Sequence, residues 1–128
     1  MPGVLSARWS GPPKSDRRNN ELLLAQLADV LEERRGAHFR CSVAVVMPDG
    51  RELVAEGRMA GHIIGEERGS GGFGYDVLFV AEEYAKPARV SDELTTAQLT
   101  PADKDAISHR GRALRALAPE LALLLTTR

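Results

Sequence analysis

The run GSGGFGYD, residues 69–76, decides how this chain is read. Four glycines within six residues strip side chains from a loop, which lets a ligand or a second backbone approach closely and permits positive φ. Phe73, Tyr75 and Asp76 follow at once with two aromatic faces and an acceptor, a combination foreign to solvated Gly/Ser linkers. The run therefore points to nucleotide chemistry, although its spacing alone fits a tight structural turn equally well. Gly69, Gly71 and Gly74 match G-x-G-x-x-G, but the dinucleotide fingerprint needs a strand before it and a helix after it. Here an apolar, strand-type run, residues 77–81, comes after instead. The kinase glycine loop shares the spacing, yet nothing resembles a kinase catalytic loop or its magnesium-binding triplet, and the chain is too short. A Walker loop is absent, since no Gly-Lys-Ser/Thr follows.

Working outward, 128 residues make one domain's worth of chain, residues 1–128, with 43% apolar content suited to a soluble core. Seventeen basic and 18 acidic residues leave a formal charge of −1, so no global field recruits nucleic acid or an anionic membrane. Cys41 is the sole cysteine, which excludes an intrachain disulfide and suits a reducing compartment. No apolar run approaches the ~20 residues of a membrane span. The opening MPGVLSARWSGPPK lacks both a signal core and a transit-peptide pattern, so a cytoplasmic location is expected.

Residues 1–20 read as a loop or short extended segment, turned by Gly11, Pro12 and Pro13. A helix is expected next, capped by Asn19 or Asn20, with Leu23, Leu24, Leu27, Val30 and Leu31 on one face and charges at 32–35 closing it. Residues 38–46 and 51–60 read as a β-hairpin around Met47-Pro48-Asp49-Gly50, with Leu53, Ala55, Gly57 and Met59 alternating against Val54, Glu56 and Arg58. Residues 82–96, which include Pro87, read as an exposed polar insertion. Thr100, Pro101 and Asp103 supply an N-cap, a proline at the first helical position and an acid at N3. Ala106, Ile107, Leu114, Leu117, Leu121 and Leu124 form the apolar stripe beyond them. In one uninterrupted helix Ser108, His109 and Arg110 would fan over ~200° and could not share a ligand. A break near Ser108, a good N-cap, resolves this.

Several conspicuous residues carry ordinary readings. Cys41, between Phe39 and Val43, is a core thiol rather than a nucleophile. His38, His62 and His109 lack metal-ligand spacing, and the adjacent glutamates at 32/33, 66/67 and 82/83 are solvated charge.

Three stretches in the same order, PGVLSARWSG at 2–11, GGFGYD at 71–76 and LTPADKDAISHRGRAL at 99–114, resemble the noncanonical purine NTP pyrophosphatases, the inosine triphosphate pyrophosphatase or Ham1 family. The resemblance implies an α/β fold, a mixed central β-sheet flanked by helices in two lobes, with the nucleotide in the cleft between them. It implies hydrolysis of ITP, dITP or XTP to monophosphate and pyrophosphate, Mg2+ as cofactor and a homodimer. Phe73, Gly74, Tyr75, Asp76, Lys104, Ser108, His109 and Arg110 match the family's substrate-binding positions, all at the base end. The resemblance covers nearly the whole chain but only the C-terminal two thirds of the family's sequence. It thus implies that the N-terminal strands and helix lie upstream of Met1, with the triphosphate-gripping loop, the metal-binding Glu and the Asp pair that includes the catalytic base. No catalytic or metal-ligating residue is then expected within the 128, and the chain alone is expected to be nearly inactive. A start assigned at an internal Met is the first explanation; the alternative is a non-catalytic purine-binding or dimerising remnant. Val77 also stands where the family usually has proline.

Overall fold

In the computed structural model, which describes residues 2–86 and 93–126, the chain separates into two compact units. One is Met1–Ala37 with Gly61–Leu99, the other His38–Ala60 with Thr100–Arg128. Among the described residues there is one three-stranded sheet, of order β1-β2-β3, with β1 at Gly36–Val46, β2 at Glu52–Ile63 and β3 at Phe79–Ala81. The α/β class is as expected.

In the first unit α1, Asp16–Gln26, starts one turn earlier than Asn19 or Asn20 would have it. Ser15 is the cap: its Oγ accepts the Arg18 N–H at 3.2 Å, and Asp16 places an acid in the first turn, where the helix dipole favours it. The two asparagines are instead buried within the helix and spend their polarity on tertiary partners. Asn19 Oδ1 accepts from the Ser10 N–H and hydroxyl, both at 2.7 Å, and its Nδ2 donates to the Ala7 carbonyl at 2.9 Å. This also orders the segment expected to be loop, where Gly3–Arg8 forms a 3₁₀ turn. The helix stops at Gln26 rather than near Arg35. Arg35 donates to the Leu27 and Val30 carbonyls, both at 2.9 Å, so the chain turns there, and Glu32–Arg34 forms a separate 3₁₀ turn.

The β1–β2 hairpin forms as expected and reaches further at its open end. Gly50, at φ +91°, donates its N–H to the Met47 carbonyl at 2.9 Å. Strand β3 is shorter than expected, because Asp76–Leu78 closes a 3₁₀ turn before it. It pairs antiparallel with β2, Gly61 opposite Ala81 and Ile63 opposite Phe79. Ile64, Leu78, Phe79, Val80 and Ala81 make the core of this unit. The expected exposed insertion is corrected at its C-terminal end: Glu93, Thr95 and Thr96 are buried. The Thr95 hydroxyl donates to the Arg68 carbonyl at 2.8 Å, so burial comes with a partner. Pro87 lies outside the described residues.

In the second unit Ala55, Gly57 and Met59 point inward while Val54, Glu56 and Arg58 face solvent, the expected alternation. Helices α2, Pro101–Ile107, and α3, His109–Thr126, are separate, as expected. Their buried stripe is Ile107, Ala113 and Leu117; Leu114 is exposed. Gly57 explains the shift from Leu114 to Ala113. A Cβ on Gly57 would lie 1.9 Å from the His109 carbonyl oxygen and 2.4 Å from the Ala113 nitrogen, so the helix backbone sits directly on the strand. Cys41 is half-buried on the β1 face that carries Phe39 and Val43.

Candidate functional site

Residues 69–76 form a loop whose side chains divide their work. Phe73 is 56% exposed, whereas Tyr75 and Asp76 are buried. The Asp76 carboxylate folds back on the loop: Oδ2 accepts the Phe73 N–H at 3.0 Å and Oδ1 accepts the Thr96 hydroxyl at 2.8 Å. That fold-back needs Gly72, at φ +71°, because a Cβ there would stand 2.1 Å from Asp76 Oδ2. Tyr75 donates its phenol to the Ser6 carbonyl at 2.6 Å. Burial, and then the Asp16 carboxylate, push its pKa above the usual phenol value.

Helix α1 reaches the same loop. Asp16 Oδ2 accepts the Gly74 N–H at 2.9 Å, and Asn20 Nδ2 donates to the Gly74 carbonyl at 3.1 Å. Together with Arg17, Glu67, Ser70 and Val77, these residues and the loop line an open pocket of about 330 Å³ with Phe73 on its wall. Sequence reasoning missed Asp16, Asn20 and Thr96. The available signal was the spacing of Asp16 and Asn20, four apart and so on one helix face.

The other four expected site residues belong to the second unit. Lys104 is half-buried on α2, and its carbonyl accepts the Ser108 N–H at 2.9 Å. Ser108, extended at ψ 148°, breaks the helix and caps the next one, its Oγ accepting the Gly111 N–H at 3.0 Å. His109 stacks on Phe39 with ring centroids 5.2 Å apart and planes 22° apart, and Arg110 is exposed. The break brings a lysine, a hydroxyl, an imidazole and a guanidinium into one short segment. All can donate hydrogen bonds. Phe73, Gly74, Tyr75 and Asp76 thus lie in one unit, Lys104, Ser108, His109 and Arg110 in the other.

Elsewhere, His62 Nε2 lies 3.1 Å from Glu93 Oε2, a hydrogen-bonding imidazole. A groove on the hairpin, lined by His38, Arg40, Glu56, Gly57 and Arg58, has its Arg40 guanidinium 2.8 Å from both Glu56 oxygens. Among the described residues no group of three or more His, Cys, Asp or Glu is arranged to hold a metal ion. The described side chains thus offer no all-protein cage for a metal ion. No described helix is long and apolar enough to cross a membrane.

Comparison with known proteins extends these local features to the whole chain. A dITP/XTP pyrophosphatase of Corynebacterium efficiens is 56% identical over 125 residues, covering 97% of this chain and 59% of its own. One of Mycobacterium tuberculosis is 54% identical over 126 residues, covering 98% and 57%. The solved Ham1 protein of Staphylococcus aureus superposes with a TM-score of 0.83 at 36% identity, over 95% of this chain and 58% of that one. The dITP/XTP pyrophosphatase of Mycobacterium abscessus gives 0.73 at 53% identity, over 94% and 58%. The chain spans less than three fifths of the length of these relatives. Residues 1–120 match the Ham1 family, and with that match and these identities the chain belongs to the Ham1 family.

Proposed function

We propose that the protein is a nucleoside triphosphate pyrophosphatase that hydrolyses the noncanonical purine nucleotides ITP, dITP and XTP to monophosphate and pyrophosphate. It would act in the cytoplasm as a homodimer with magnesium, clearing deaminated purines from the nucleotide pool. Family membership and relatives named dITP/XTP pyrophosphatase at more than 50% identity support the reading. The observation that carries it is the exposed Phe73 held on a loop whose Tyr75 and Asp76 side chains are buried.

An open aromatic face stacks on a purine for ~1–3 kcal/mol while tolerating any base. Choice among bases must come from hydrogen bonds, and Lys104, Ser108, His109 and Arg110 are the proposed donors. Hypoxanthine and xanthine carry a 6-oxo acceptor that such donors satisfy; the 6-amino group of adenine meets them donor to donor. A donor left unpaired costs ~1–3 kcal/mol, which gives one or two decades of discrimination per mismatch. Guanine keeps the 6-oxo group, so its rejection needs a further element at C2. Magnesium supplies charge neutralisation for the triphosphate when bound, and none of the described residues is assigned to it.

Pyrophosphate release from ITP, dITP and XTP, measured against ATP and GTP in a chain extended to the length of its relatives, tests the reading. Phe73→Ala should lower kcat/KM for ITP and ATP alike by about tenfold, whereas Arg110→Ala should change the ratio between them. Preference for ATP, or equal losses on both substrates in the Arg110 variant, would sink the base-recognition assignment.

A further inference from the structure

We infer that Asp16 and Asn20 of α1 are positioning residues for the purine, acting through the backbone of Gly74, the residue that follows Phe73. The inference rests on the stacking role proposed for Phe73.

The peptide plane before Phe73 is pinned by its N–H, which donates to Asp76 Oδ2 at 3.0 Å. The plane after it is pinned by the Gly74 N–H, which donates to Asp16 Oδ2 at 2.9 Å. Both φ and ψ of Phe73 are thus set by carboxylates, and charge-assisted hydrogen bonds of this kind are roughly twice as strong as neutral ones. Asn20 then fixes the third plane by donating to the Gly74 carbonyl at 3.1 Å. Gly74, at φ +59°, occupies the left-handed region that this double grip requires. One helical turn separates Asp16 from Asn20, so a rigid element carries both ends of the clamp. A glycine-rich loop without such a clamp must be ordered when ligand binds, and that ordering weakens binding. With it, the aromatic face stands ready beforehand.

The test is ITP affinity by calorimetry, with amide exchange at Phe73 and Gly74 as an independent readout. Asp16→Ala is expected to weaken ITP binding about tenfold and Asn20→Ala about fivefold. Asp16→Asn, which keeps an acceptor oxygen, should cost about twofold and guards against a helix that simply fails to form. In a Phe73→Ala background Asp16→Ala should add less than about twofold, since a positioning residue has nothing left to position. Losses that multiply in the double variant, or a Gly74 amide that exchanges no faster in Asp16→Ala, overturn the inference. Unchanged affinity in Phe73→Ala overturns the stacking role and with it the purpose of the clamp. Faster exchange at Gly74 would even then leave the clamp standing as a device of the loop.

Discussion

The loop at residues 69–76 and the helix break at Ser108 are built by opposite means. The break is local: Thr100 caps α2 by accepting the Asp103 N–H at 3.1 Å, and Ser108 caps α3 by accepting the Gly111 N–H, each bond closing over three residues. The loop is held from afar. Beyond its own Asp76–Phe73 bond, its partners are Ser6, Asp16, Asn20 and Thr96, separated from it in sequence by 69, 58, 54 and 20 residues. A locally capped segment keeps its geometry when its surroundings change, whereas a remotely held loop is only as well ordered as the elements that grip it.

The largest expected effect that would sharpen this contrast is Gly72→Ala. The new Cβ would meet Asp76 Oδ2 at 2.1 Å with the backbone at φ +71°, so the carboxylate must leave Phe73 or the loop must refold. We expect a loss of about 2–4 kcal/mol in urea unfolding. Ser108→Ala should cost only about 1 kcal/mol, the worth of one N-cap, because the turn signals around it persist. An equal or larger loss at Ser108 would break the comparison.

The smallest effect lies in alkaline solution. Tyr75 has its folded pKa raised, so the folded state holds its proton more tightly than the unfolded chain, whose phenols titrate near ~10. The associated stability is fully present below that pH and is lost as pH rises through the raised folded value. Tyr75→Phe also removes the bond to Ser6, so the slope of stability against pH above ~10 is what to compare. A slope as steep in the variant as in the parent would assign alkaline loosening to another group.

The same division explains what could be read in advance. Met47-Pro48-Asp49-Gly50, the alternation along β2, Thr100-Pro101 and Ser108 are signals completed within a few residues, and each appears where expected. Asn19 and Asn20 are good caps in isolation and so predict a later start for α1 than the one at Asp16. Only the distant Ser10, Ala7 and Gly74 show why they sit inside the helix. Thr95 and Thr96 read as exposed for the same reason, since their partners Arg68 and Asp76 lie 27 and 20 residues away. The glycine-rich loop around Phe73 and the helix break at Ser108 are legible as local structure from residue type and break chemistry. Asp16 and Asn20 were not, since their role exists only through a contact across more than fifty residues.

Gly57 gives the second unit a mechanical property. With no side chain between β2 and the first turn of α3, strand and helix backbones touch without any rotamer to absorb displacement. Interiors packed in this way transmit strain rather than dissipate it. At that contact β2 lies directly against the His109 carbonyl, and on β1 the Phe39 ring stacks on the His109 imidazole. Any side chain at position 57 would thus force β2 and the first turn of α3 apart, beside the segment that carries His109 and Arg110.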